Sequence, residues 1–353
     1  MDFVPLVDWL GEARTSVLFG LITGVVFGIA AQRSRFCLRA ATVEFARARM
    51  GQSVAVWLLT FSTAVVWVQG ARLLGLFDPY EARMMSVAGS WSGAIIGGGM
   101  FGIGMVLSRG CSGRLLTLAA TGNLRSVVSG LVFAVFAQMS LHGWLAPLRN
   151  SLAALWTTPG GRNISLLEQF ALPDWGGLAF GLVVSGLAIA IARRNHMTPG
   201  RLVFASGVGF AVALGWVLTY MLAQVSFEPV SVMSASFTGP SANTLMAFLE
   251  TSPVLNFDIG LVPGVVIGAF AMSLYRREFR FQGFDSEANM RRAMTGAAMM
   301  GFGGMLAGGC AIGNGVTGGS IFAGTAWLAL FFMWIGAVLT DLVVDQHRRP
   351  AFA

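Results

Sequence analysis

Gly102-Ile103-Gly104-Met105-Val106-Leu107-Ser108-Arg109-Gly110-Cys111 has a near copy 199 residues further on, Gly301-Phe302-Gly303-Gly304-Met305-Leu306-Ala307-Gly308-Gly309-Cys310. Both runs are apolar and glycine-rich, and both end on a cysteine. The same shift carries Cys37 onto Ser236. Two features that agree on one offset predict a duplicated chain. Runs this apolar also predict the medium in which the duplication sits.

Only 39 of the 353 residues are charged, 23 basic and 16 acidic. That is 11%, against about 25% in a soluble domain. Apolar residues make up 55% of the chain. A soluble protein of this size has too much wetted surface for that balance. Disorder, collagen, a disulfide scaffold and nucleic-acid binding are excluded on the same ground. The predicted class is an all-α polytopic membrane protein, forming one membrane domain over 1–353.

A membrane span takes about 17–25 mostly apolar residues. Nine are predicted, at 15–31, 54–76, 87–107, 126–148, 175–192, 202–222, 257–275, 290–307 and 321–343. The intervening charges alternate. Arg33, Arg35, Arg39, Arg47 and Arg49 follow span 1, and Asp78 and Glu81 follow span 2. Arg193, Arg194 and Arg201 follow span 5, Glu228, Glu250 and Asp258 follow span 6, and Arg276, Arg277 and Arg280 follow span 7. The positive-inside rule then puts the N-terminus in the periplasm and the C-terminus, with Arg348 and Arg349, in the cytoplasm. Met1–Arg14 carries Asp2, Asp8 and Glu12 and no basic n-region, so it is not read as a cleaved signal peptide.

Four connecting segments are too apolar to be ordinary loops. They are Ser34–Ala41, Ser108–Arg114, Ser236–Ser241 and Gly308–Gly315. They predict four re-entrant helix-loops, because irregular backbone at membrane depth persists only where protein or a wet cavity satisfies it. Each half then reads span, re-entrant, span, span, re-entrant, span. The first repeat is 15–148, the linker span 175–192 and the second repeat 202–345. The odd number of crossings before the second half inverts it, the plan of many transporters with broken helices at the midplane.

Broken helices present free N–H groups and partial positive charge, which suit an anion. Thr238 is the expected N-cap of the third segment, with Pro240 in its first turn. Gly20, Gly24 and Gly28, and Gly260, Gly264 and Gly268, have the spacing of close helix packing. Gly110, Gly113, Gly309 and Gly313 surround cysteines and are candidates for a ligand path.

All three cysteines, Cys37, Cys111 and Cys310, fall in these four segments. No CxxC occurs and the count is odd, so no disulfide framework is expected. His142, His196 and His347 do not pair with one another or with a cysteine at helical spacing, so no metal or other cofactor is expected. A thiol is a weak donor and soft acceptor, suited to a sulfur-bearing anion and to loose, multi-site binding. Arg39, Arg109 and Arg114 flank Cys37 and Cys111. Each either meets the anion or snorkels to the interface.

Taken together, Arg35-Phe36-Cys37, Ser108-Arg109-Gly110-Cys111-Ser112-Gly113, Ser236-Phe237-Thr238-Gly239-Pro240 and Gly308-Gly309-Cys310-Ala311-Ile312-Gly313-Asn314-Gly315 resemble the YeeE/YedE (TsuA-like) family of membrane permeases. The likeness spans about 18–345. It implies an hourglass-like bundle of two pseudo-symmetric halves. It implies thiosulfate uptake across the bacterial inner membrane, relayed by hydrogen bonds to Cys37, Cys111 and Cys310. Arg109, Gly110, Gly113, Arg114, Ser236, Thr238, Gly309 and Asn314 would support that path. Family members often work beside a small cytoplasmic sulfurtransferase of the TusA/YeeD type, which this chain does not itself contain.

Two other readings stand beside the permease. An intramembrane sulfurtransferase would take the outer sulfur as a cysteine persulfide, which needs a thiolate and a nearby base. A structural protein would have no conduction path at all. Related permeases for another sulfur or selenium species share the same class.

Overall fold

A computed structural model describes residues 4–284 and 286–346. Asp2, His347, Arg348 and Arg349, used above for charge, histidine pairing and orientation, lie outside the described residues. Among those described no β-strand forms, only isolated bridges. The helices are α1 (Val4–Leu10), α2 (Glu12–Ser34), α3 (Leu38–Ala46), α4 (Gln52–Leu73), α5 (Arg83–Ser86), α6 (Trp91–Leu107), α7 (Ser112–Ala120) and α8 (Leu124–Leu141). They continue as α9 (Ala146–Ala154), α10 (Leu166–Gln169), α11 (Gly176–Arg194), α12 (Pro199–Val225), α13 (Thr238–Ala247), α14 (Phe257–Tyr275), α15 (Glu287–Leu306) and α16 (Gly324–Thr340). Between α15 and α16, residues 311–320 form a further short helix whose middle, Gly313–Gly318, is wound as a π-helix.

Among the described residues eight helical stretches are long and apolar enough to cross a membrane, with α2 running into α3 and α6 into α7. The span expected at 290–307 is helix α15, which is 20 residues long but carries Glu287, Arg291 and Arg292 in its first two turns. Element ends follow capping chemistry that hydropathy does not see. The Ser90 side chain accepts the Gly93 N–H at 2.8 Å, so the third span starts at Trp91 and not at 87. The fourth stops at Leu141, where His142-Gly143 turns the chain into α9.

Glycine sets how closely the long helices pack. A Cβ on Gly20, Gly24 or Gly28 of α2 would lie 2.1, 2.3 or 2.3 Å from the carbonyl oxygens of Phe257, Leu261 or Val265 in α14. Gly260, Gly264 and Gly268 meet the carbonyls of Val17, Leu21 and Val25 in the same way. With no hydrophobic drive between helices in lipid, such backbone contact is what holds them. Helices α6 and α15 are joined reciprocally. A Cβ on Gly104 would meet Gly296 O at 2.5 Å and one on Gly296 would meet Gly104 O at 2.6 Å, while Gly97 and Gly303 face each other likewise.

The pairings come in matched sets. Helix α2 packs on α14 and α12 on α4; α6 packs on α16 and α15 on α8; α7 packs on α14 and the 311–320 helix on α4. Helix α11 stands apart, packed along α4. Hydrogen bonds gather the helix ends into two faces. On one, Arg201 Nε donates to Ser34 O (3.0 Å), Gln32 Nε2 to Glu278 Oε2 (3.2 Å) and Arg47 to Asp341 (2.9 Å). On the other, Arg72 donates to Asp174 (3.0 Å), Tyr80 to Glu168 (2.7 Å) and Gln224 to Glu81 (2.8 Å). The first face carries most of the arginine and the second most of the acid.

Candidate functional site

Three long helices end in the same turn. At the end of α6, Arg109 N–H bonds Val106 O and Gly110 N–H bonds Met105 O. At the end of α15, 199 residues on, Gly308 N–H bonds Met305 O and Gly309 N–H bonds Gly304 O. At the end of α2, Arg35 N–H bonds Gln32 O and Phe36 N–H bonds Ala31 O. This is the Schellman pattern, which needs a left-handed residue. Arg35 (φ 57°), Arg109 (φ 57°) and Gly308 (φ 76°) supply it. A cysteine follows each turn and sits just ahead of the next short helix, so all three cysteines occupy one structural position. They are free and buried.

Their surroundings match as well. Cys310 Sγ accepts the Gly313 N–H and the Phe237 N–H, both at 3.3 Å, and lies 3.9 Å from Ser236 Oγ. Cys111 Sγ is approached by the Arg114 N–H and the Leu38 N–H, the positions that map onto 313 and 237 under the same shift. Cys37 Sγ is approached by the Ala40 and Cys111 N–H groups, and the Cys37 and Cys111 thiols interact directly. At these two sulfurs the amides converge without the full capping geometry seen at Cys310. Each sulfur therefore sits on amide dipoles from its own helix start and from a neighbouring segment. Cys37 and Cys111 follow helices that end toward the arginine-rich face. Cys310 and Ser236 follow helices running the opposite way.

Between the two groups lies an apolar waist. A Cβ on Gly113 would be 2.4 Å from Ile312 Cδ1 and 3.3 Å from Phe237 Cε2. Phe237 and Ile312 are fully buried, and Phe27 packs edge-on to Phe237 with ring centroids 5.1 Å apart. Composition gave no reason to single out Phe237, Ile312 or Leu38. The 199-residue shift could have done so, since it pairs 38 with 237 and 113 with 312.

The remaining expected site residues divide. Arg114 lies within electrostatic reach of both Cys37 and Cys111, and its Nη1 is buried without a hydrogen-bond partner. Arg109 is exposed and contributes its left-handed backbone to the turn. Gly110 closes that turn, and a Cβ there would find ordinary contact at 3.4 Å, so space does not demand glycine. Asn314 is buried and staples the turn ahead of it, its Nδ2 donating to Gly309 O (2.8 Å) and Ala307 O (3.2 Å). A Cβ on Gly309 would press on Asn314 at 3.3 Å. Thr238 is not the N-cap of α13: Phe237 holds that position and Thr238 is the first helical residue, with Pro240 in the first turn as expected. The reason is a slip of one residue in where the helix starts. Thr238 Oγ1, Ser241 Oγ and, on α7, Ser112 Oγ are buried without hydrogen-bond partners. The region thus holds thiols, oriented amides, one guanidinium and several uncommitted hydroxyls.

That donor set, repeated about a narrow centre, agrees with what the chain matches. Residues 33–339 fit the family model described as sulphur transport. The chain belongs to the sulphur-transport (YeeE/YedE) family. It is 28% identical over 362 residues to the thiosulfate transporter TsuA of Escherichia coli (strain K12), covering 95% of this chain and 97% of that one. It is 26% identical over 331 residues to the thiosulfate transporter TsuA of Spirochaeta thermophila, covering 90% and 96%. The sulphur-transport match contains all four short segments and every cysteine. Family membership and the apolar helices together make this a multi-pass membrane transporter, not an enzyme.

Proposed function

We propose that the chain is an inner-membrane permease for thiosulfate. Thiosulfate would enter at the acidic face and leave at the arginine-rich face, which is cytoplasmic by the positive-inside rule. The observation that carries this reading is the shared setting of the three thiols, each ahead of a short helix and each backed by converging amides. A doubly charged anion with a terminal sulfur can accept from S–H and N–H donors at each station without a covalent bond. Such contacts hold weakly enough to release, as a path with several sites requires.

The matched packing pairs and the repeated turn support two inverted halves, 15–148 and 202–345, with α11 (expected as 175–192) as the linker span. The four short helices would then be the re-entrant elements, and α15 the ninth span. Cys310 with Ser236 forms one station, and Cys37 with Cys111 and Arg114 the other. Phe237 and Ile312 close the waist between them, a dry constriction of the kind that gates by excluding water. Gly110, Gly309 and Asn314 hold the turns, and Thr238 offers a hydroxyl nearby. A small TusA/YeeD-like sulfurtransferase fits as the cytoplasmic acceptor.

Uptake of thiosulfate labelled on both sulfurs into proteoliposomes tests this. Both labels should enter together. Cys111→Ala and Cys310→Ala should each lower uptake at least about tenfold, the worth of one charge-assisted hydrogen bond, with the reconstituted amount unchanged. Full uptake by both variants refutes the thiol path. Sulfite left outside with only one sulfur carried in would point instead to persulfide transfer.

A further inference from the structure

Helix α11 packs along α4, and α16 packs along α6. A trough is left between α11 and α16, floored by α3 and α4, with a volume of about 390 Å³, within the range of ligand pockets. Its body is apolar: Leu58, Leu187, Ile191 and Trp334 are among its walls. One end is polar, formed by Arg194 and Asn195. Asn195 Nδ2 donates to Met50 O at 2.8 Å, which draws the end of α11 to the turn that carries Arg49. Arg49, Arg193 and Arg194 are all exposed there. Glu44 and Asp341, carboxylates of the described residues on α3 and at the end of α16, are committed elsewhere. Glu44 accepts from Ser53 N, Ser53 Oγ and Val54 N, and Asp341 accepts from Arg47.

We infer that this trough is a binding site for an anionic phospholipid, with an acyl chain along Leu58, Leu187 and Ile191 and the phosphate at Arg194. An apolar groove that ends in guanidinium groups matches such a lipid in both polarity and order. A basic end at the arginine-rich face is where anionic headgroups collect, and guanidinium binds phosphate bidentately. None of the three cysteines lines the trough, so its test does not depend on what the permease carries.

The test is native mass spectrometry of the full chain, purified in detergent and offered equal phosphatidylglycerol and phosphatidylcholine. The parent protein should retain one phosphatidylglycerol per protomer and prefer it at least about fivefold, the effect of one arginine near an anionic headgroup. Arg194→Ala should lower that preference about fivefold, with Arg49 and Arg193 left in place, and an unchanged preference overturns the assignment of the phosphate to Arg194. Ile191→Trp, which fills the trough, should lose the bound lipid while the lipid-free melting temperature holds. Equal retention of both lipids by the parent, or undiminished retention by Ile191→Trp, overturns the proposal. So does a stable lipid-free dimer that Ile191→Trp dissociates, which would make the occupant a second copy.

Discussion

Gly113 faces Ile312, its own counterpart under the 199-residue shift, at a point where a Cβ would stand 2.4 Å from Ile312 Cδ1. One large side chain fills the centre because its mate has none. The contact is with the flexible end of a side chain, so an added methyl displaces Ile312 and leaves the backbone in place.

Gly113→Ala should therefore fold and transport poorly, because the displaced Ile312 crowds Phe237. Ile312→Ala should leave the waist underfilled and admit smaller anions such as chloride. The double variant should recover most of the thiosulfate flux lost by Gly113→Ala, the non-additivity expected of residues in contact. Flux assays on the four proteins in liposomes decide it. Strictly additive losses, or a double variant as poor as Gly113→Ala, would remove the waist from the path.

Arg114 offers a second prediction. Its Nη1 is buried without a partner beside two thiols, a donor left uncommitted where an anion would supply the acceptor. A hydrogen bond to a charged group contributes about 1.5–3 kcal/mol. Arg114→Ala should raise the KM for uptake about tenfold or more, whereas Arg114→Lys keeps the charge and should recover part of that. Arg109→Ala, at an exposed position, should change KM little. Equal effects at the two arginines would deny Arg114 a place in the path.

Hydropathy in the sequence was enough to read the membrane class and most of the helices. Helix ends were not legible, because Ser90 and His142-Gly143 act through hydrogen bonds and turns that an apolar average does not register. Thr238 was misplaced by one residue for the same reason. At the site, Cys37, Cys111 and Cys310 stood out by composition. Phe237 and Ile312 did not, since an apolar residue in an apolar chain carries no local signal. Asn314, expected beside the substrate path, donates its amide to the turn ahead of it, a contact that depends on where the amide points and that no sequence pattern shows.

The two bonds from the Asn314 amide predict a contribution to stability. Asn314→Ala frees two buried carbonyls, those of Ala307 and Gly309. Each unsatisfied group costs about 1–3 kcal/mol. The melting temperature in detergent should fall, while the KM of the surviving protein stays near the parent value. A raised KM with unchanged melting would return Asn314 to the substrate path.

The glycine contacts can be tested by contrast. A Cβ on Gly24 would sit 2.3 Å from Leu261 O and 2.9 Å from Gly264 Cα, all backbone, whereas one on Gly130 in α8 meets nothing within 4 Å. Gly24→Ala must push α2 and α14 apart and should cost at least about 1–3 kcal/mol, the usual overpacking penalty. Gly130→Ala should be neutral or slightly stabilising, since alanine is the better helix former. Size-exclusion profiles and melting curves of the two variants give the comparison. Equal behaviour would mean that α2 and α14 are not in backbone contact.

Arg47 and Asp341 close the arginine-rich face. Arg47 Nε and Nη2 donate to the two carboxylate oxygens at 3.2 and 2.9 Å, tying the end of α3 to the end of α16. The Asp341 side chain is fully buried and Arg47 is about a quarter exposed. Removing one partner of a buried pair is costly because the other charge is left behind, about 3–5 kcal/mol in dry settings. Arg47→Ala strands the buried member and should destabilise more than Asp341→Ala, which leaves an arginine able to reach water. Asp341→Asn in the Arg47→Ala background should recover part of the loss by removing the stranded charge. Melting temperatures of the three variants measure this order. An Arg47→Ala protein as stable as the parent would show that the pair does not hold these two helices together.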